Sequence, residues 1–539
     1  MTDPSTAQGS SPSAAPAQIE LIRAGYASPG PALELGAAVL EGRAYPEAGV
    51  RIPLAVLNRH GLVAGATGTG KTKTLQLMSE QLSAQGVPVF LADIKGDLSG
   101  LAALGEPSER VTARAQDVGQ EWVPTAYPAQ FLALGGIGNG TPIRATMTSF
   151  GPILLSKVLG LNETQESSLG LVFHYADRAG LALLDLKDLR AVIAFLTSDE
   201  GKADLKALGG LSTATAGVIL RELVGFEDQG AEAFFGEPEF DTADLLRASP
   251  DGRGVLTILE LPSVQDRPAL FSTFLMWLLA DLFHDLPEIG DPDRPRLVFF
   301  FDEAHLLFDG ASKGFLDAIE QTVRLIRSKG VGVFFVTQSP KDVPGDVLAQ
   351  LGNRVQHALR AFTPDDAKAL RAAASTYPRS DYDLTTLLTS LGTGEAVVTV
   401  LSEKGAPTPV AWTRMRAPQS LMAPVPEATM QQLVGSSPLA QKYAAVPDRE
   451  SAYEKLGARL QQAPPAPEAQ DGTPATPSDV PSDPERPAPR GRGRAPRPAR
   501  TIVEQVVGSS AFRSVLRSAG AVVGREITRS IFGTARRRR

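Results

Sequence analysis

Residues 65–74 read GATGTGKTKT. Gly65, Gly70, Lys71 and Thr72 fill the fixed positions of G-x-x-x-x-G-K-[ST], with Ala66, Thr67, Gly68 and Thr69 between them. Glycines let a loop curl until successive backbone N–H groups converge on phosphate oxygens. A helix that starts at the loop adds its positive N-terminal end. Lys71 then reaches the β- and γ-phosphates, the Thr72 hydroxyl serves Mg2+, and Lys73 closes the nucleotide-contacting run. The competing reading is a chance glycine-rich turn. The flanks favour phosphate: the apolar GLVA precedes the loop, and Leu75, Met78 and Leu82 follow at helical spacing.

Hydrolysis needs a second element, an apolar strand ending in acids, and LVFFFDEAH (297–305) has that form. Asp302 is expected to hold Mg2+ through water and Glu303 to polarise the attacking water. The bland reading is a strand ending in solvated carboxylates, which a complete phosphate loop elsewhere in the chain disfavours. Gln338, closing GVFFVTQSP, suits a γ-phosphate sensor, or simply caps a strand. In FLADIKGDLSG, Asp93, Lys95 and Asp97 either line the same site or belong to a capped strand-to-helix turn.

Short apolar strands at 87–93, 254–261, 296–305, 332–339, 353–362 and 395–401 are mostly separated by helical stretches. The alternation predicts an α/β fold with a mostly parallel sheet. Lys71 and Asp302 lie 231 positions apart, more than a minimal nucleotide core needs. The expected division is a disordered leader (1–18), a short β element (19–59), the first part of the ATPase core (60–100) and a mainly helical insertion (101–250). The second part of the core (251–420), a helical extension (421–460), a disordered Pro/Ala/Arg-rich linker (461–500) and a basic amphipathic helix (501–539) complete it. One strand is expected inside the insertion, at IRATMT (143–148).

The six motifs GLVAGATGTGKTKTLQ, FLADIKGDLSGLA, LLSKVLGLNETQE, FFFDEAHLLF, RSKGVGVFFVTQSP and LGNRVQHALRAFTP, in that order, resemble the HerA/FtsK-like branch of RecA-like (ASCE) P-loop ATPases. They are most similar to the bacterial helicase-HerA-like family. The resemblance implies a RecA-like core with ATP and Mg2+, assembled as a homo-oligomeric, often hexameric, ring that moves on DNA. It also implies an arginine reaching into the neighbouring subunit's site, with Arg354, Arg327 and Arg360 as candidates. Arg327 has an alternative as a solvated helix residue paired with Glu320 or Asp317. About 60 residues precede the loop, so the N-terminal β-barrel of the DNA-repair HerA proteins is expected to be reduced or missing. The DEAH quartet is shared with DEAH-box helicases, but a single nucleotide core and a following strand ending in TQ argue against that assignment.

The chain has 539 residues, 43% hydrophobic and 21% charged, and no cysteine. That excludes disulfides, thiol catalysis and thiolate metal sites, and suits a cytoplasmic protein. The polar start has no signal-peptide pattern, and the most apolar run (270–283) is too short for a transmembrane segment, so a buried helix is expected there. Residues 486–539 carry 14 arginines against Glu504 and Glu526, a net of +12, so the overall −7 leaves −19 on residues 1–485. A basic tail on an acidic body has three readings: a grip on nucleic acid, contact with an anionic membrane surface, or docking on the body itself. A nucleotide-dependent scaffold and an ATPase acting on protein or at a membrane stand beside the DNA motor as alternatives.

Overall fold

The computed structural model describes residues 16–207, 209–309, 311–445, 447 and 449–462. The linker and the basic helix expected beyond 462 lie outside them, as does most of the leader. The strands are β1 (Ala32–Leu40), β2 (Arg43–Pro53), β3 (Gly61–Ala64), β4 (Val89–Asp93), β5 (Ala129–Leu134), β6 (Thr141–Ile143), β7 (Leu256–Glu260), β8 (Leu297–Phe301), β9 (Val331–Thr337), β10 (Asn353–Gln356), β11 (Glu395–Thr399) and β12 (Ala411–Met415). They form one sheet in the order β2-β1-β12-β11-β10-β3-β9-β8-β4-β7-β5-β6. From β10 to β6 every pairing is parallel; from β10 outward through β11, β12, β1 and β2 every pairing is antiparallel.

The parallel block explains the unbroken apolar runs. Both faces of these strands are covered, so both sets of alternating side chains must be apolar. Phe299 and Phe301 pack into one core with Phe90 and Trp277, while Val298 and Phe300 pack into the other with Leu91 and Phe334. The helix Pro268–Asp285 is buried at every position from Leu270 to Phe283, as the apolar run requires. Among the described residues no helix is long and apolar enough to cross a membrane.

The segment 101–250 differs from expectation. Its strand is Thr141–Ile143 rather than 143–148, and a further strand, β5, pairs with β7 and extends the parallel sheet. AQFLAL is a short apolar run without alternation, and such a run reads equally as buried helix or buried strand. Helices of this segment pack into the core of the sheet itself. Leu155, Leu169, Leu189 and Ile219 share a single core with Trp277 and Phe299. The expected strand 353–362 also ends early, at Gln356, where the chain turns under the glycine loop. The N-terminal element is a helix (Ala17–Gly25) and a hairpin whose β1 continues the main sheet by pairing with β12.

Candidate nucleotide site

In the parallel block the strand ends do the positioning. β3 delivers the glycine loop, β9 lies beside it, and β8 lies beside β9. The C-terminal ends of all three point the same way, so the loop, Gln338 and the Asp302–Glu303 pair open onto one end of the sheet. Residues 231 positions apart thereby become neighbours. The Lys71 ammonium lies within electrostatic reach of both Glu303 and Asp302.

The loop enters the helix Lys71–Ala84 through Gly70, whose φ of +118° is a left-handed conformation. A Cβ there would also come within 3.2 Å of the Gly394 backbone, so the torsion favours glycine and the space is tight. The loop is braced from the sheet side. Ala66 N–H donates to the Ala358 carbonyl (2.8 Å), His357 N–H to Ala64 (2.7 Å), and Gly394 N–H to Thr69 (2.9 Å). Arg114 holds the Gly394 and Thr393 carbonyls in turn.

His357 is a second brace, fully buried. Its Nδ1 stands 2.8 Å from the Glu395 carbonyl oxygen, which can only accept, so Nδ1 carries the proton. Nε2 is then free to accept the Thr74 hydroxyl at 2.9 Å, tying the first turn of the phosphate helix to β11. Burial lowers the His357 pKa from the ordinary 6.5 to about 4, against the Glu395 carbonyl, which favours the proton. The folded value lies below the unfolded one, so between pH 6.5 and 4 the unfolded chain binds a proton that the folded chain refuses. Stability from this residue is complete above pH 6.5 and falls as the pH drops. Wild type should lose ~2 kcal/mol more than a His357→Gln variant between pH 7 and pH 5. Denaturant unfolding at the two pH values measures this, and parallel pH dependences would refute it.

Lys71 is 7% exposed, and its ammonium donates to the Gly65 (2.7 Å) and Ala66 (3.2 Å) carbonyls. Burial lowers its pKa, while Glu303 pulls the other way. Thr72 follows it in the first helical turn, and Thr67 and Gly68 are exposed at the mouth of the loop. Lys73 is engaged away from the loop. Its side chain donates to the Met422 carbonyl (2.8 Å) and to Gln76, where it fastens the helix to the C-terminal segment.

Glu303 is 5% exposed and carries a φ of +46°, a left-handed conformation uncommon outside glycine and expected where function over-determines the backbone. Lys95 pairs with its Oε1, and His305 Nδ1 stands 3.2 Å from its Oε2. Burial pushes its pKa up, but the Lys95 ammonium outweighs burial, and the net result is a value below the ordinary one. Asp302 is different. Burial raises it to about 7, with Lys95 opposing and Glu303 reinforcing the shift. Its Oδ2 is buried without a hydrogen-bond partner. An orphaned carboxylate oxygen and the Thr72 hydroxyl are the hard-oxygen donors that Mg2+ takes, so the residues fit that ion.

Gln338 is exposed at the tip of β9 and shares a cleft of about 830 Å³ with Ala66, Thr67, His305 and Arg360. Arg327 and Arg354 are not brought to this end. They line a second cleft with Arg59 and Arg324, next to the N-terminal ends of β3, β9 and β10. Arg354 donates to the Thr376 hydroxyl (2.7 Å), and Arg327 pairs with Asp291 (3.1 Å), rather than with Glu320 or Asp317. Composition and spacing gave no signal for His357, Gly394 or Arg114, whose roles are contacts between distant segments. His357 stands in a motif run noted for its resemblance alone.

A phosphate loop between β3 and a helix, facing an acid pair two strands away in a parallel sheet, defines a RecA-like P-loop core. The family described as Helicase HerA-like C-terminal matches residues 39–539, and the chain belongs to it. Two curated relatives are similar. "Probable helicase MJECL08" of Methanocaldococcus jannaschii is 31% identical over 363 residues, 63% of each chain. "DNA double-strand break repair helicase HerA" of Sulfurisphaera tokodaii is 23% identical over 360 residues, 65% of this chain and 64% of that one. The chain thus spans less than two thirds of either relative's length. Among solved structures, the plasmid coupling protein TrwB with a non-hydrolysable ATP analogue is 17% identical with a TM-score of 0.48, covering 74% of this chain and 98% of that one. VirB4 of Thermoanaerobacter pseudethanolicus is 14% identical with a TM-score of 0.43, covering 73% and 97%.

Proposed function

We propose that the protein is an ATP-hydrolysing motor of the HerA-like kind, cytoplasmic, working as a homo-oligomeric ring on DNA. The observation that carries the ATPase reading is the meeting of Lys71 with Asp302 and Glu303 at one end of the sheet. On arrival of the triphosphate, Lys71 exchanges its two loop carbonyls for phosphate oxygens, and the loop N–H groups hold the rest. Thr72 and Asp302 would hold Mg2+, which supplies neutralisation of phosphate charge. Glu303, ionised because of Lys95, is the proton acceptor for the attacking water, and Gln338, in the cleft it shares with Ala66, Thr67 and His305, is the γ-phosphate sensor.

The ring reading draws on Arg327 and Arg354. They sit at the opposite end of the strands from their own loop, where they cannot complete it but are available to a neighbour's. DNA as substrate rests on family membership and on the name of the Sulfurisphaera relative, with the arginine-rich tail as the only support from this sequence. The described body is acidic, so a DNA path requires a local basic lining within the ring. Turnover should rise several-fold on adding duplex or single-stranded DNA, and the stimulation should fade with salt. Steady-state phosphate release with and without each DNA form tests this. No stimulation by any form would point instead to a protein or membrane substrate.

A further inference from the structure

Beside the nucleotide site, the ends of the adjacent strands β8, β4 and β7 gather carboxylates: Asp302, which hydrolysis also uses, and Asp93, Asp97 and Glu260, which it does not. Asp93 ends β4 and shapes the turn that follows: Oδ1 accepts Gly96 N–H at 2.8 Å and Oδ2 accepts Leu98 N–H at 2.9 Å. Each oxygen keeps a further lone pair. Asp97 lies in that turn, and Asp302 leaves the neighbouring β8. One oxygen from each of the three lies within 4.8 Å of the other two.

Independent evidence comes from β7. Glu260 pairs in register with Asp93, is 7% exposed, and has an Oε1 without a hydrogen-bond partner. Asp97 Oδ1 and Asp302 Oδ2 are likewise buried and unpartnered. Three lysines are close enough to answer this charge, yet each is engaged elsewhere. Lys95 is on Glu303, Lys71 on the Gly65 and Ala66 carbonyls, and Lys73 on Met422 and Gln76. None of the three is hydrogen-bonded to these carboxylates, and buried carboxylates facing one another without a directly bonded counter-charge are costly. A hard divalent cation accepts several carboxylate oxygens at once and removes that cost.

We infer that Asp93, Asp97 and Asp302, with Glu260 adjoining, bind a divalent cation of the Mg2+ or Mn2+ class in the nucleotide-free protein. The metal would thus load before the triphosphate. Because Asp302 is shared, the inference touches the ATPase reading, but its readout needs no nucleotide. The experiment is a Mn2+ titration of the nucleotide-free full-length chain, following free Mn2+ by electron paramagnetic resonance. The expected result is a saturable site in wild type, weakened ~10-fold or more by Asp97→Asn and retained by Lys71→Ala. Asp302→Asn, expected to weaken it equally, is read in its place should Asp97→Asn fail to fold. No saturable site in wild type, or equal affinity in the folded carboxylate variant, overturns the inference. Hydrolysis surviving in Lys71→Ala would overturn the nucleotide assignment instead and leave the Mn2+ result standing.

Discussion

A Lys71→Ala variant is expected to lose triphosphate hydrolysis by roughly 100-fold or more and to bind nucleotide weakly. The size of the effect follows from where the amine sits. The side chain is nearly enclosed, and its ammonium is already held at the floor of the loop by two carbonyls. In a water-poor site a preplaced charge acts on phosphate far more strongly than it would in bulk water, with no reorganisation at the moment of reaction. Alanine removes that charge and the Gly65 carbonyl's ammonium donor, while the Ala66 carbonyl keeps the Thr69 hydroxyl at 2.7 Å. Arginine would not substitute, because its rigid fork cannot occupy the space of a compact ammonium. Titration with a fluorescent nucleotide and single-turnover phosphate release separate loss of binding from loss of chemistry. Wild-type turnover in this variant would remove the nucleotide site from residues 65–74.

Glu303→Gln should behave differently: binding kept, hydrolysis slowed by ~10²–10⁴-fold, and nucleotide trapped on the protein. Glutamine matches the shape of glutamate, and the adjoining backbone keeps its Ala304 N–H bond to the Val336 carbonyl (2.8 Å) whichever side chain stands at 303. What is lost is the proton acceptor. The native carboxylate is ionised near neutrality because Lys95 outweighs burial, whereas Asp302 next to it is pushed up to about 7 by burial. Two adjacent acids are thereby separated into an ionised base and a metal-facing partner. Lys95 is substantially exposed, so losing this ionic partner should barely change stability. Retention of labelled nucleotide after gel filtration, beside a rapid-quench measurement of the chemical step, tests both halves. An unchanged chemical step would place the base elsewhere.

Much of this was legible before any coordinates. GATGTGKTKT carries its own geometry, because glycine spacing, a lysine and a hydroxyl at fixed offsets are local requirements met by local residues. LVFFFDEAH is likewise readable, since unbroken apolar runs record burial on both faces of a parallel strand. The order of six such runs was enough to indicate the family. β5 was not legible, because a short, mainly apolar stretch without alternation looks the same in a helix or a strand, and pairing with β7 decided the matter. Lys73 reads as a phosphate ligand by position, while its contact with the Met422 carbonyl, 349 residues away, is written in no local pattern.

The phosphate chemistry, the acid pair and the parallel α/β class are written in the residue order, since each depends on short-range patterns of residue type. The folded arrangement sets which residues face the site from elsewhere: His357 under Thr74, Gly394 against Gly70, Lys95 on Glu303, and Glu260 abreast of Asp93. It also carried Arg327 and Arg354 to the far end of the strands. Strand order makes these neighbours, and strand order is set by the packing of two cores across one sheet, a property of the whole chain that no local pattern encodes.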